Sequence, residues 1–403
     1  MIKRIVCLKL ALAILLSTPA VFSGEPSQRM IRVSIIEGKP FVNIKLTGPY
    51  VVTACDTDAI LKVGDSLVNT RVMPTNRGIL FGEELLLAKH IKIKAEINGS
   101  TYVNDVRYKG EIALNNNDKG LRVVNSIELE EYLCGVLPGE AHYWWPFEIL
   151  KAQAIVARTY ALYQSYVNKK WSFDLTDNSF SQIYKGKGIE KLRTNKAVSA
   201  TKGKVLAYKG RIFPAYFHST CAGHTEDAGN LWDIDLEPLK GVACQFCRRS
   251  PHYYWKRKIS KRQLMETLEK SGYKITDIEK AEVLDRNISG RIKKIKFTDH
   301  KSVETELTIT EFKNAMEQGF IRAANFNVKI IGDYIEFAGL GWGHGAGMCQ
   351  WGGYAMAQKG SRYDDILMFY YPGAEIMDKD QAKGYYVPAQ NTEKKNNNLK
   401  NTK

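Results

Sequence analysis

Pro146-Phe-Glu-Ile-Leu-Lys-Ala-Gln-Ala-Ile-Val-Ala-Arg-Thr-Tyr-Ala-Leu162 is the stretch at which the chain changes its hydrophobic period. Ile149, Leu150, Ala154, Val156 or Ala157, Ala161 and Leu162 recur near helical spacing. Pro146 suits the first turn of a helix, where its missing N–H leaves no bond unmade. A long helix with one core face is expected here. On its N-terminal side, residues 31–35, 42–46, 91–95 and 121–124 alternate polar and apolar side chains, with turns at Asn98-Gly99 and 115–120, as a half-buried sheet requires.

On its C-terminal side, 205–208 and 212–217 read as a hairpin turning at Lys209-Gly210. Ser260-x-x-Gln263 is a capping box that opens a helix with Leu264 and Leu268 on its buried side and Gly272 as its stop. Thr308-x-x-Glu311 opens a second short helix ending near Gly319, and strands are expected at 293–297 and 334–338. The fold class is therefore α+β, with mixed β-sheet regions packed on one long helix. The expected divisions are a β-rich region at 25–120, an α+β body at 121–376 and a basic, largely disordered tail at 377–403. The last stretch, 391–403, is nearly all Asn, Lys, Thr and Glu, too poor in apolar groups to offset the entropy of ordering.

Residues 1–24 carry Lys3, Arg4 and Lys9, a short apolar run and a small-residue exit, the pattern of a secretory signal peptide. Export to the periplasm or cell envelope is expected, with membrane contact only through an uncleaved N-terminal anchor. The composition, 44% hydrophobic and 25% charged over 403 residues, excludes a collagen, a coiled coil or a mainly disordered chain. The net charge of +15 favours an anionic partner. Export makes that partner an acidic envelope polymer and not a nucleic acid.

Six cysteines remain after the leader. Cys221-Ala-Gly-His224 and Cys244-Gln-Phe-Cys247 are two x2 knuckles in one short stretch, which can place four ligands around a structural zinc. His218 or His252 could replace His224. A Cys244–Cys247 or Cys221–Cys244 disulfide is the alternative for an exported chain. Cys55, Cys134 and Cys349 stand alone and read as small buried hydrophobes.

Two further stretches carry chemistry. Gly339-Leu-Gly-Trp-Gly-His-Gly-Ala-Gly-Met-Cys-Gln-Trp-Gly-Gly353 places Trp342, His344, Gln350 and Trp351 on a backbone so rich in Gly that it must pass close to something else. It matches neither a phosphate loop nor a dinucleotide fingerprint, whereas aromatic faces with amide and imidazole groups suit a sugar. The alternative is a packed turn with a satisfied His. In Val136-Leu-Pro-Gly-Glu-Ala-His-Tyr-Trp-Trp-Pro146, Glu140 is a lone carboxylate among apolar and aromatic neighbours, a setting that raises a carboxyl pKa so that it can act as an acid. The alternative is a carboxylate held by a helix N-terminus, which Glu148 fits better.

Together, Val124-Asn-Ser-Ile-Glu-Leu-Glu-Glu-Tyr-Leu133, Gly135-Val with Pro138 and Glu140, the helix from Glu148 to Tyr160, Ser181-Gln-Ile-Tyr-Lys-Gly186, Ala215-Tyr-Phe-His-Ser-Thr-Cys-Ala-Gly-His-Thr225 and Gly341-Trp-Gly-His-Gly-Ala-Gly-Met-Cys-Gln350 resemble the SpoIID/LytB (stage II sporulation protein D-like) family. The resemblance spans about residues 30 to 376. It implies a lytic transglycosylase that cuts peptidoglycan glycan strands, stripped of stem peptides, between N-acetylmuramic acid and N-acetylglucosamine to leave a 1,6-anhydro end. The implied machinery is an open glycan-binding groove with Glu140 as acid and base, lined by Gln182, Tyr184, His218, Ser219 and His344, to which the Gly-rich run adds Trp342 and Gln350. The implied structural zinc sits on the cysteine/histidine cluster, here Cys221, His224, Cys244 and Cys247. Some relatives are described as amidase enhancers, so a non-catalytic glycan-binding adaptor, with a cell-wall amidase as partner, is the alternative. Ala141 departs from the family pattern, which more often has Met after the Glu.

Overall fold

Alternation at 31–35 appears in part in strand Met30–Lys39: Ile31 and Val33 are fully buried on either side of the less buried Arg32, but Ser34 is buried as well. The computed structural model describes residues 29–96, 99–178 and 181–387; the leader expected at 1–24 and the polar stretch 391–403 lie outside them. Met30–Lys39 belongs to a seven-stranded sheet ordered Leu175–Thr176, Met30–Lys39, Gly120–Glu128, Glu111–Asn117, His90–Ala95, Tyr50–Ala54 and Ile60–Gly64. Only its first pair is parallel. A second, antiparallel sheet runs Val106–Tyr108, Ser100–Val103, Val42–Thr47, Leu67–Thr75, Gly78–Phe81 and Glu84–Leu86. Val42, Ile44 and Leu46 of this sheet enter the same core as Ile31 and Val33.

That core continues into two helices, α1 (Leu129–Glu140) and α2 (Phe147–Val167). Pro146 is the N-cap of α2 and so lies just outside the first turn. The helix is buried well beyond one face, and its polar residues are satisfied inside the protein. Arg158, fully buried, holds Glu130 of α1 through two 2.7 Å bonds and donates to the carbonyls of Val198 and Lys204. A charge is tolerable at that depth only when paired and hydrogen-bonded in this way.

Helix α1 has no counterpart in the sequence reading. The Glu128 side chain caps it by accepting from the N–H groups of Glu130 and Glu131. Gly135, Pro138 and Gly139 lie inside it, residues that weaken helices. Gly139 is there for close approach: a Cβ at this position would meet Ile183 Cγ2 at 2.9 Å. The helix therefore packs its last turn directly on the 181–186 segment.

Within the stretch 121–376 lies a second core, built on Trp255, Leu264, Leu268, Phe297, Phe312, Phe326 and Phe337. It is covered by the three-stranded sheets Tyr254–Ser260, Tyr334–Leu340, Asn325–Ile331 and Lys280–Val283, Lys294–Thr298, Glu304–Thr308. Both expected capping boxes form, opening helices Lys261–Lys270 and Ile309–Ala315. The second of these ends at Ala315, short of Gly319. The inserted unit separates the cysteine knuckles from the Gly-rich run.

The hairpin is shorter than its apolar run. Lys204–Tyr208 pairs with Arg211–Ile212 across Lys209 and Gly210, both at positive φ (50° and 71°). Phe217–His218 instead pairs in parallel with Met348–Cys349, which ties the two chemistry-bearing stretches together. Packed structure also continues past 376, because Glu375–Asp378 adds to Lys204–Tyr208 and Tyr385 stacks on Tyr166 at 5.0 Å. Among the described residues no helix is long and apolar enough to cross a membrane.

Candidate active site

Glu140 is the last residue of α1, not a residue of a helix N-terminus. The helix-dipole alternative fails for that reason, since the carboxyl end of a helix disfavours an anion. Its Oε1 accepts the Ile183 N–H at 2.7 Å. Protein encloses the carboxyl group on nearly every side while one face stays open to a cavity. Burial pushes its pKa from 4.5 up to about 7, against the opposing pull of the Ile183 N–H. Near neutral pH it is thus divided between a proton donor and an acceptor.

The cavity, about 680 Å³, is lined by two aromatic groups. Trp145 packs on Trp351 at 5.2 Å between ring centres; Trp232 packs on Tyr216 at 4.1 Å and on His344 at 5.2 Å. Of the residues expected there, His218, Ser219, Trp342, His344 and Gln350 line it with Glu140. Gln350 Nε2 donates to the Glu140 carbonyl at 3.0 Å and so positions the backbone of the acid. Trp342 is 39% exposed, with the Arg322 guanidinium over its ring.

The two histidines differ. His344 Nδ1 accepts the Ala346 N–H, and the ring is also bonded to the Phe217 backbone. Burial lowers its pKa to about 3, so it is a neutral brace that offers the cavity only a ring surface. His218 Nδ1 lies 3.1 Å from the Ala346 carbonyl, which can only accept, so that nitrogen carries the proton. Nε2 is left as a buried acceptor with no partner in the protein. Burial, then His344 and Arg291, hold this ring well below the usual imidazole range and therefore neutral.

Gln182 and Tyr184 are corrected: neither lines the cavity. Gln182 is fully buried, accepting from Tyr132 Oη and donating to the Ala157 carbonyl, and it ties α1 to α2. Tyr184 Oη donates to Asn125 Oδ1 at 2.7 Å inside the core. Their neighbours Ser181 and Ile183 face the cavity instead. Trp351, read from the Gly-rich run as an aromatic face, also lines it, whereas the sequence reading missed Trp145, Tyr216, Trp232, His252 and Lys313 as lining residues. Trp145 stood beside Glu140 in the stretch 136–146; nothing marked Trp232 or Lys313.

The metal cluster is corrected as well. Cys221, Cys244, Cys247 and Cys349 are all buried, with sulfur atoms within 4.8 Å of one another. His224 is not among them: its Nδ1 is bonded to the Thr225 carbonyl at 2.6 Å and it lines a separate cavity beside Glu226. None of the six described cysteines is in a disulfide. A tetrahedron with Zn–S distances of about 2.3 Å has S···S edges of about 3.8 Å, and Cys221 Sγ lies 3.5 Å from Cys247 Sγ. The N–H groups of Cys221 and Gly352 each lie 3.3 Å from Cys349 Sγ, as donors to a thiolate would. The buried Arg291 guanidinium, bonded to the carbonyls of Cys221 and His224, would offset the excess negative charge of four thiolates on one dication. Donor set, spacing and charge all fit a structural zinc, and four protein ligands would leave it no open position. The Gly-rich run makes the close approach possible. Gly345 has φ +96°, and a Cβ there would meet Arg291 Cζ at 2.3 Å.

An α+β body that turns one enclosed carboxyl group of raised pKa toward an aromatic cavity carries a candidate site for general acid–base chemistry. The Stage II sporulation protein (SpoIID) family profile matches residues 117–208, the segment that carries α1, α2 and Glu140, and a domain of unknown function matches 242–347. The chain is 33% identical over 364 residues to an uncharacterized protein of Brachyspira hyodysenteriae, covering 90% of this chain and 96% of that one. It is 29% identical to stage II sporulation protein D of Bacillus subtilis over 66% of this chain and 78% of the relative. Similarity to the amidase enhancer of Bacillus subtilis is 28% over 60% of this chain and 40% of that protein. The chain belongs to the SpoIID family.

Proposed function

We propose that this protein is a peptidoglycan lytic transglycosylase whose acid and base are both Glu140. The cavity is read as part of an open groove for a glycan strand, with sugar rings against Trp232, Trp342 and Trp351. The protonated carboxyl group of Glu140 gives its proton to the glycosidic oxygen between N-acetylmuramic acid and N-acetylglucosamine as the C1–O bond breaks. The 6-hydroxyl oxygen of the same muramic acid then bonds to C1, and its proton returns to the Glu140 carboxylate. A 1,6-anhydro end forms, no water is consumed, and the acid is regenerated. This route needs one carboxyl group, where hydrolases of glycosides ordinarily use two.

The observation that carries the reading is Glu140 itself: the one carboxyl group among the cavity-lining residues, with its pKa raised to about 7 by burial. The cysteine cluster would hold zinc in a supporting role. Because residues 1–24 read as an export signal, the substrate is sought in the envelope. The test is incubation of peptidoglycan, with and without stem peptides, with the wild type and Glu140→Gln, followed by mass spectrometry for anhydro ends. Wild type should produce them and the variant should not; anhydro ends from Glu140→Gln would remove the assignment. The name of the amidase-enhancer relative favours one second reading, an adaptor that grips glycan without cutting. Glycan binding by a folded wild type that yields no anhydro ends would select it.

A further inference from the structure

The inserted unit sends one cation into the cavity. Lys313 stands on helix Ile309–Ala315, where the Thr308–Glu311 capping box fixes the first turn and Phe312 anchors the next residue in the second core. Consecutive helical residues diverge by about 100°, so with Phe312 buried, Lys313 points out of the inserted core, and it lines the same cavity as Glu140. Among the described residues no carboxylate acts on this half-buried side chain. The charge that acts on its ammonium is Arg291, of like sign, and Glu140 is not among its electrostatic partners. A half-buried ammonium beside a second cation, with no counterion among the described residues, is costly unless a ligand supplies the anion.

We propose that Lys313 is the specificity-determining residue of the cavity and binds a carboxylate of the glycan, namely the lactyl carboxylate that each N-acetylmuramic acid exposes once its stem peptide is gone. This rests on the glycan-strand reading above and adds to it a task for the inserted unit. An amide in place of that carboxylate leaves the ammonium without its counterion, so Lys313 discriminates stripped from peptide-bearing strands. A lysine serves as a compact charge with three donors, which suits a single carboxylate oxygen pair presented on a flexible lactyl arm. A stem peptide has carboxylates too, and the experiment separates the two sources.

The test measures equilibrium binding in the full chain carrying Glu140→Gln, which prevents turnover. Lys313→Met and Lys313→Arg are added to it. The probes are stripped strands, the same strands with lactyl carboxyls converted to methylamides, and peptide-bearing strands. Lys313→Met should weaken binding of stripped strands about 10- to 100-fold, the range for a hydrogen bond to a charged group. Binding of methylamide strands should be equal with or without the substitution, and Lys313→Arg should keep most of the affinity. A thermal midpoint for Lys313→Met matching its parent's establishes that it is folded; should it be lower, the Arg variant and the methylamide strands still decide the question. Equal affinity of the parent for stripped and methylamide strands overturns the proposal, as does a Lys313 dependence confined to peptide-bearing strands. Cleavage and binding fail separately. Wild type that makes no anhydro ends but shows the Lys313-dependent preference sinks the transglycosylase reading alone, whereas cleavage without charge preference sinks this proposal alone.

Discussion

Replacing Glu140 by Gln separates the chemical role of the carboxyl group from the stability it withholds. In the unfolded chain the group titrates at its ordinary 4.5; in the folded protein, burial places it at about 7. Between those values the folded state binds the proton more tightly than the unfolded one. Its contribution is therefore full below pH 4.5 and is lost as pH rises through about 7. At about 1.4 kcal/mol per pH unit the gap sets a ceiling of about 3 kcal/mol. Because one face of the group remains open to the cavity, about 2 kcal/mol is the value expected. Gln keeps the oxygen that accepts the Ile183 N–H and removes the titration. Urea unfolding at pH 5 and pH 8 should show wild type losing about 2 kcal/mol more than Glu140→Gln over that interval. At pH 8 the variant should be the more stable protein while forming no anhydro ends. Wild-type cleavage should fall as pH rises through about 7, since the first step needs the protonated acid. If wild type and variant lose stability in parallel between the two pH values, Glu140 is an ordinary exposed carboxylate and the acid role loses its physical basis.

The corrected cluster makes a paired prediction: Cys349→Ser should abolish about one equivalent of bound zinc by elemental analysis, and His224→Ala should retain it. Tyr184→Phe should lower stability by about 1–3 kcal/mol in urea unfolding, because the buried Asn125 oxygen loses its donor, while glycan affinity measured by titration stays unchanged. Gly345→Ala should destabilise by at least about 2 kcal/mol, since both its positive φ and the contact with Arg291 forbid a Cβ; a thermal midpoint equal to wild type would contradict this.

How much of this was legible follows from which signals are local. The strand Met30–Lys39 and the helix α2 were readable because alternation and helical spacing are written in consecutive residues, and both capping boxes formed where Ser260 and Thr308 stand. Helix α1 was hidden by Gly135, Pro138 and Gly139, whose presence answers to the neighbouring 181–186 segment and not to the helix itself. Gln182 and Tyr184 were placed in the groove by the family resemblance of the 181–186 motif, yet both spend their hydrogen bonds inside the core. Cys349 looked isolated because the inserted unit separates it from its three partners. His224 took its place in the reading through spacing alone. Lys313 was one lysine among many, and only the fold brings it to the cavity.

The cysteine cluster and the acid are linked through a single residue step. Cys349 is the N-cap of helix Gln350–Gln358, its sulfur receiving the Gly352 N–H. The first residue of that helix, Gln350, donates to the Glu140 carbonyl and to Gln153 of α2. On the other side of Cys349, Met348–Cys349 carries Phe217–His218 alongside it, and Trp351 N–H donates to the Ser219 carbonyl. A cluster that fixes Cys349 therefore fixes at once the end of α1, the open acceptor nitrogen of His218 and the start of the tryptophan wall. On the proposed function, that geometry would give a closed, four-ligand site a supporting task beside an acid that needs no second carboxyl group. A pocket assembled from a Gly-rich run has little stiffness of its own, and holding catalytic groups within a fraction of an ångström requires support from outside the run. Metal loss should accordingly weaken glycan binding and cleavage together, whereas loss of the Glu140 carboxyl group should remove cleavage and leave binding in place.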